Sequence, residues 1–127
     1  MDNQYDWNHW FEYAENDFEA ATILANQAKP KIEIVCYHCQ QSVEKILKGY
    51  IASKGGKLQK THDLVVLCEM CIQFDFAFES IINNCSDLTI YASEIRYPNI
   101  LDVEINHMHK AINDAITIRE FIQNKLK

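Results

Sequence analysis

The sequence predicts an all-α protein, an up-down antiparallel four-helix bundle with an extra short helix. Two observations lead there. Only three glycines and two prolines occur in 127 residues, too few turn-formers for a fold of many short strands. Apolar side chains recur at steps of three and four over long stretches, the period of one helix face. Short connections then make neighbours antiparallel. The length is that of one domain, residues 1–127, enough for a core of normal extent.

Residues 8–28 form the first predicted helix. Trp7, Phe11, Ala14, Phe18, Ala21 and Ala25 line one face, and Asp6 or Asn8 can cap the start. Pro30 marks the break. Residues 32–53 form the second, with Val35, Cys39, Val43, Ile46, Leu47 and Tyr50 inward and Gly55-Gly56 as the stop. A shorter helix over roughly 62–73 starts from Thr61 as N-cap, with Leu64, Leu67, Cys68 and Cys71 inward. Residues 76–95 hold a short helical piece and then a helix capped by Ser86, with Leu88, Tyr91, Ala92 and Ile95 inward, stopped by Pro98. Residues 102–126 form the last helix, with Asp102 as cap and Ile105, Met108, Ile112, Ala115, Ile118 and Ile122 as its stripe.

The net charge of -6 argues against a sequence-blind nucleic-acid binder. It is unevenly spread. Residues 1–28 carry six acids and no Lys or Arg; residues 29–62 carry seven Lys against Glu33 and Glu44; residues 63–127 carry ten acids and five bases. A basic middle between acidic ends leaves room for a focused phosphate contact. No apolar run reaches the length of a membrane span, and the start lacks the basic and apolar regions of a signal peptide. A cytoplasmic protein without membrane contact is the expectation. The five cysteines are an odd number, which suits reduced thiols.

The most conspicuous motif is the pair of Cys-x-x-Cys units, Cys36/Cys39 and Cys68/Cys71. Both fall inside predicted helices, where i and i+3 share a face, and neither has the Gly or Pro turns of a zinc knuckle. They read as core, and no metal is expected. His107 and His109 point about 200° apart on a helix and cannot share a metal. Lys54-Gly55-Gly56-Lys57 lacks the strand and pattern of a phosphate loop.

Two segments carry more. Gln40 or Gln41 lines up with Glu44 and Lys48 at helical spacing, Glu44 preceding Lys48 in the favourable order for an ion pair. With Asp63 these form a structural polar seam. Ser93-Glu-Ile-Arg-Tyr-Pro98 sets Arg96 and Tyr97 where the chain leaves a helix. Arg96 can take a phosphate bidentately or pair with a carboxylate such as Glu44.

These pieces, in order, resemble the HEPN domain. The resemblance rests on Trp10, Ala14 and Asp17, on Tyr37-His-Cys-Gln-Gln-Ser-Val-Glu-Lys-Ile-Leu-Lys-Gly-Tyr-Ile51, on Thr61-His-Asp-Leu64 and on Arg96-Tyr-Pro98, across residues 7–126. It implies an up-down helical bundle that forms a homodimer, often beside a minimal nucleotidyltransferase. Many members are metal-independent RNases or toxins of toxin–antitoxin pairs, with an Arg followed after four to six residues by His. Here the corresponding positions after Arg96 are Leu101, Asp102 and Val103, and the first histidine is His107. The resemblance therefore implies the branch lacking that dyad, for which binding roles are the expectation.

Three functions are expected from these residues. The first is a module that binds a nucleotide, RNA phosphate or a nucleotidyltransferase partner through Lys45, Lys48, His62, Arg96 and Tyr97, the nucleotide being a ligand and no cofactor being needed. The second is an atypical RNase using Arg96 with His62 or His107 across a dimer cleft. The third is a structural homodimer or adaptor, with Glu44 and Arg96 paired inside the bundle.

Overall fold

A computed structural model describes residues 6–92 and 103–127. Its α-helices are α1 (Trp7–Ala25), α2 (Ile32–Ser53), α3 (Leu64–Phe74), α4 (Ile82–Leu88) and α5 (Ile105–Lys125), with 3-10 turns at Phe76–Ile81 and Thr89–Ala92. No strand occurs among the described residues, and no described helix is long and apolar enough to cross a membrane.

Helix α1 lies antiparallel on α2. Ser42 Oγ donates to the Ala14 carbonyl at 2.8 Å, and Gly49 sits against Trp10 and Phe11. Helix α5 runs with α2 and against α1, since Arg119 meets Glu15 and Lys125 meets Asp75. Helix α4 runs against α5, as Asn84–Asp114 and Lys110–Asp87 show. Helices α1, α2, α4 and α5 thus alternate in direction, and α3 is the extra short helix of the predicted bundle.

Helix α3 follows a return of the chain. Helix α2 ends in a Schellman turn: Gly56 N–H donates to Ile51 O at 2.9 Å and Gly55 N–H to Ala52 O at 3.0 Å. Gly55 has φ +74°, a conformation that a side chain resists and glycine adopts freely. Residues 54–63 then run back along α2, and Gln40 Nε2 holds the His62 carbonyl at 3.0 Å. From there α3 runs beside α2 in the same direction, and Cys71 Sγ lies 4.0 Å from Leu47 O.

The core is Val35, Leu47, Ile51, Leu64, Leu67, Phe78, Leu88, Met108, Ile118 and Ile122 with five free, fully buried cysteines. Tyr50, Phe78 and Phe121 stack edge to face or tilted at 4.6 and 4.9 Å between centroids. Burial is the cause of the high thiol values: Cys36 and Cys39 are both pushed up to about 12.

Several element limits differ from expectation. Helix α1 ends at Ala25 and not at residue 28, because Asn26 caps it with its amide on Thr22 O at 2.9 Å. The cap of α3 is Asp63, whose Oδ1 accepts from Val65 N and Val66 N; Thr61 Oγ1 instead accepts the Asp63 N–H. Ser86 lies within α4 and caps nothing. Helix α5 starts at Ile105 with Glu104 as cap, closed by His107 Nδ1 accepting the Glu104 N–H at 2.8 Å. Ile105, placed inward by the apolar stripe, is accordingly exposed on the first turn. Ile95, Arg96, Tyr97, Pro98 and Asp102 lie outside the described residues.

Candidate functional site

The polar seam of α2 is built around one carboxylate. Glu44 has a nearly buried side chain, 6% exposed. Its Oε2 accepts from the Lys48 ammonium and lies 2.9 Å from His62 Nδ1. Its Oε1 takes longer contacts from Gln40 and Gln41, at 3.4 and 3.5 Å. Gln41 Nε2 in turn donates to Gln40 Oε1 at 2.8 Å. Every polar atom of this buried group has a partner, as burial demands.

Lys48 is itself buried, with its Nζ 5.7 Å from the centre of the Trp10 ring. Glu44 and Lys48 are one turn apart, so the helix pitch alone brings them together. Their charges cancel locally. Such a pair holds its place because each charge is satisfied by the other, not because the pair adds much stability.

His62 is the exposed member of the group. Its side chain is 74% exposed, yet Glu44 fixes its Nδ1 and Gln40 fixes its carbonyl. With Nδ1–H directed to the carboxylate, Nε2 is the nitrogen left for solvent or a ligand. Nearby in sequence, Lys54, Lys57 and Lys60 are exposed on the same return loop. Asp63 belongs to the α3 cap and faces solvent, apart from the Gln40–Glu44 seam.

A second carboxylate, Asp17 on α1, binds two residues of α2. His38 Nδ1 lies 2.9 Å from Asp17 Oδ1, and the Lys45 ammonium meets Asp17 Oδ2. Lys45 and Lys48 therefore both face carboxylates. Sequence reasoning gave Asp17 no chemical part, because its partners lie 21 and 28 residues away. The seven-residue spacing of His38 and Lys45, two turns on one face, was the signal for a shared partner.

The remaining candidates separate. His107 is exposed at the start of α5, with Nδ1 engaged in the cap. Arg96 and Tyr97, and with them the expected Glu44–Arg96 pair, lie outside the described residues. Among the described residues no group of three or more His, Cys, Asp or Glu is arranged to hold a metal ion. Gln40, Gln41, Glu44, Lys48 and His62 are brought together, and this is the strongest polar constellation of the described chain.

The comparisons with known proteins agree with the geometry. The family model for the HEPN domain matches residues 7–125. The structure is similar to that of TT1696 from Thermus thermophilus, with a TM-score of 0.78 and 20% identity, covering 98% of this chain and 99% of that one. It is also similar to ST0689, an archaeal HEPN homologue, with a TM-score of 0.75 and 21% identity over 95% and 98% of the two chains. No curated protein sequence matches.

Proposed function

Since this chain belongs to the HEPN domain family, we propose that it is a binding module which takes a phosphate of a nucleotide or of RNA at His62. One observation carries this reading: a largely exposed imidazole is held in place by an almost fully buried carboxylate, 2.9 Å away. A doubly protonated imidazole held this way would keep Nδ1–H on Glu44 and donate Nε2–H to a phosphate oxygen as a charge-assisted bond. Lys57 and Lys60 on the adjoining loop supply further positive field. Arg96 and Tyr97 belong to the same proposal on sequence grounds.

Titration with ATP, other nucleotides and short RNA, at low and moderate salt, tests the reading. Saturable binding that weakens with salt and falls in His62→Ala is the expected result. No saturable binding at low salt overturns it.

A second reading has the same observation behind it. A carboxylate-held imidazole is also the geometry of a general acid–base. An RNase would pair His62 with Arg96, because His62 is held by a carboxylate, whereas His107 Nδ1 only accepts a backbone N–H. RNA cleavage lost in both His62→Ala and Arg96→Ala, with RNA binding retained in one of them, would favour it. A homodimer, a minimal nucleotidyltransferase partner and a seat in the cytoplasm are proposed from family membership. Light scattering and co-purification with such a partner are the measurements.

A further inference from the structure

A cleft of about 520 Å³ opens between α1 and α5, above α2. That size lies within the roughly 300–1,000 Å³ of small-molecule sites. Its lining is largely apolar, with Phe11, Ala14 and Ile46 inside and the exposed Leu126 at its edge. The Ser42 hydroxyl at the floor already donates to the Ala14 carbonyl.

The rim carries charges of both signs with free capacity. Arg119 lies on the Phe18 ring at 4.6 Å and grips both oxygens of Glu15 through Nε and Nη2. Its Nη1 makes no hydrogen bond among the described residues. Glu12, also on the rim, has no side-chain partner among them either. Glu12, Glu15 and Arg119 together leave the cleft one negative charge. A simple anion is repelled there, and a simple cation leaves the guanidinium edge unused.

We infer that this cleft binds a small apolar zwitterion, an amino acid or dipeptide. Its ammonium meets Glu12, its carboxylate meets the Nη1 edge of Arg119, and its apolar side chain lies on Phe11, Ala14, Ile46 and Leu126. The Glu15–Arg119 pair, itself partly exposed, holds the guanidinium plane in place and need not break. This site is separate from the phosphate reading at His62 and stands or falls without it.

Trp7 packs on Phe11 at 5.6 Å between ring centres, so tryptophan fluorescence reports filling of the cleft. The probes are leucine, phenylalanine and the dipeptide Leu-Phe, with N-acetyl and C-amide forms of each. A saturable signal is expected. Blocking either terminus should weaken binding about tenfold, the value of one hydrogen bond to a charged group. Glu12→Gln should weaken the unmodified ligand by a similar factor and leave the N-acetyl form unchanged. Gln123→Phe, at an exposed rim position, should fill the cleft and abolish binding with the melting temperature kept. Tighter binding of the dipeptide than of both amino acids assigns the dipeptide; equal or weaker binding assigns the amino acid. The inference is overturned by the absence of saturable binding, by fluorescence and by calorimetry. It is also overturned by binding indifferent to Glu12→Gln and to both blocking groups. A Gln123→Phe protein that changes oligomeric state, with no ligand binding in the parent, assigns the cleft to a second copy and overturns it too.

Discussion

A methyl group placed on Gly49 would fall 2.6 Å from Phe11 Cε1. It would also sit 2.8 Å from Cδ1 of the same ring and 3.0 Å from Trp10 Cβ. Gly49 is therefore what lets α1 lie this close to α2. On an isolated helix, glycine to alanine gains about 1 kcal/mol of helix propensity. Here overpacking opposes that gain, at a cost of about 1–3 kcal/mol. Gly49→Ala should lower the urea midpoint, and Gly49→Ala combined with Phe11→Ala should not lower it further by the same step. A midpoint raised by Gly49→Ala would show that the helices can simply part.

Glu44 is the keystone of the seam. Glu44→Ala strands the buried Lys48 ammonium, and breaking a buried pair on one side costs about 3–5 kcal/mol. Replacing both partners, Glu44→Gln with Lys48→Met, should recover most of that loss in denaturant unfolding. The same double variant tests binding at His62, because the imidazole then lacks its anionic anchor. A double-variant loss equal to the sum of the two single losses would mean that the pair is not coupled.

The thiols make an alkaline limit. Burial raises Cys36 and Cys39 to about 12 in the folded chain, against about 8.5 in an unfolded one. The folded state then holds more protons than the unfolded state between these values. Stability from these groups is full below about pH 8.5 and is lost as pH rises toward about 12, by at most about 1.4 kcal/mol per pH unit for each thiol. Urea midpoints at pH 8 and pH 10.5 check the sign. Iodoacetamide at neutral pH should leave all five buried cysteines unmodified in the native protein and reach them in urea.

Capping gives a sharper contrast between neighbours. Asp63 Oδ1 accepts the Val65 N–H at 2.9 Å, so Asp63→Ala should cost about 1 kcal/mol. Ser86 is exposed inside α4 with no cap bond, and Ser86→Ala should change thermal stability by less than about 0.5 kcal/mol. A large loss at residue 86 would restore it as a cap.

Helix α2 was fully legible: the range predicted from Pro30 and Gly55 is the observed Ile32–Ser53. Its apolar stripe and the Glu44–Lys48 pair were legible too, because both depend only on helical pitch. Contacts between elements were not. Arg96 was the long-range partner expected for Glu44, and only the path of the return loop brings His62 to it. Asp17 likewise gains His38 and Lys45 from the packing of α1 on α2. Caps failed where two acceptors stood within a few residues, as at Thr61 and Asp63, since local spacing ranks them equally.

The return loop is fastened at both ends, by Gly56 on Ile51 and by Gln40 on the His62 carbonyl. Between these anchors Lys57, Gln59 and Lys60 are exposed, and closing a longer loop costs little more than closing a short one. The Gln59–Lys60 step, clear of the partly buried Leu58, is thus a natural insertion point. A fluorescent peptide or affinity tag spliced there would hang from the molecule beside the imidazole without moving either anchor, turning the fold itself into a reporter of whatever approaches His62.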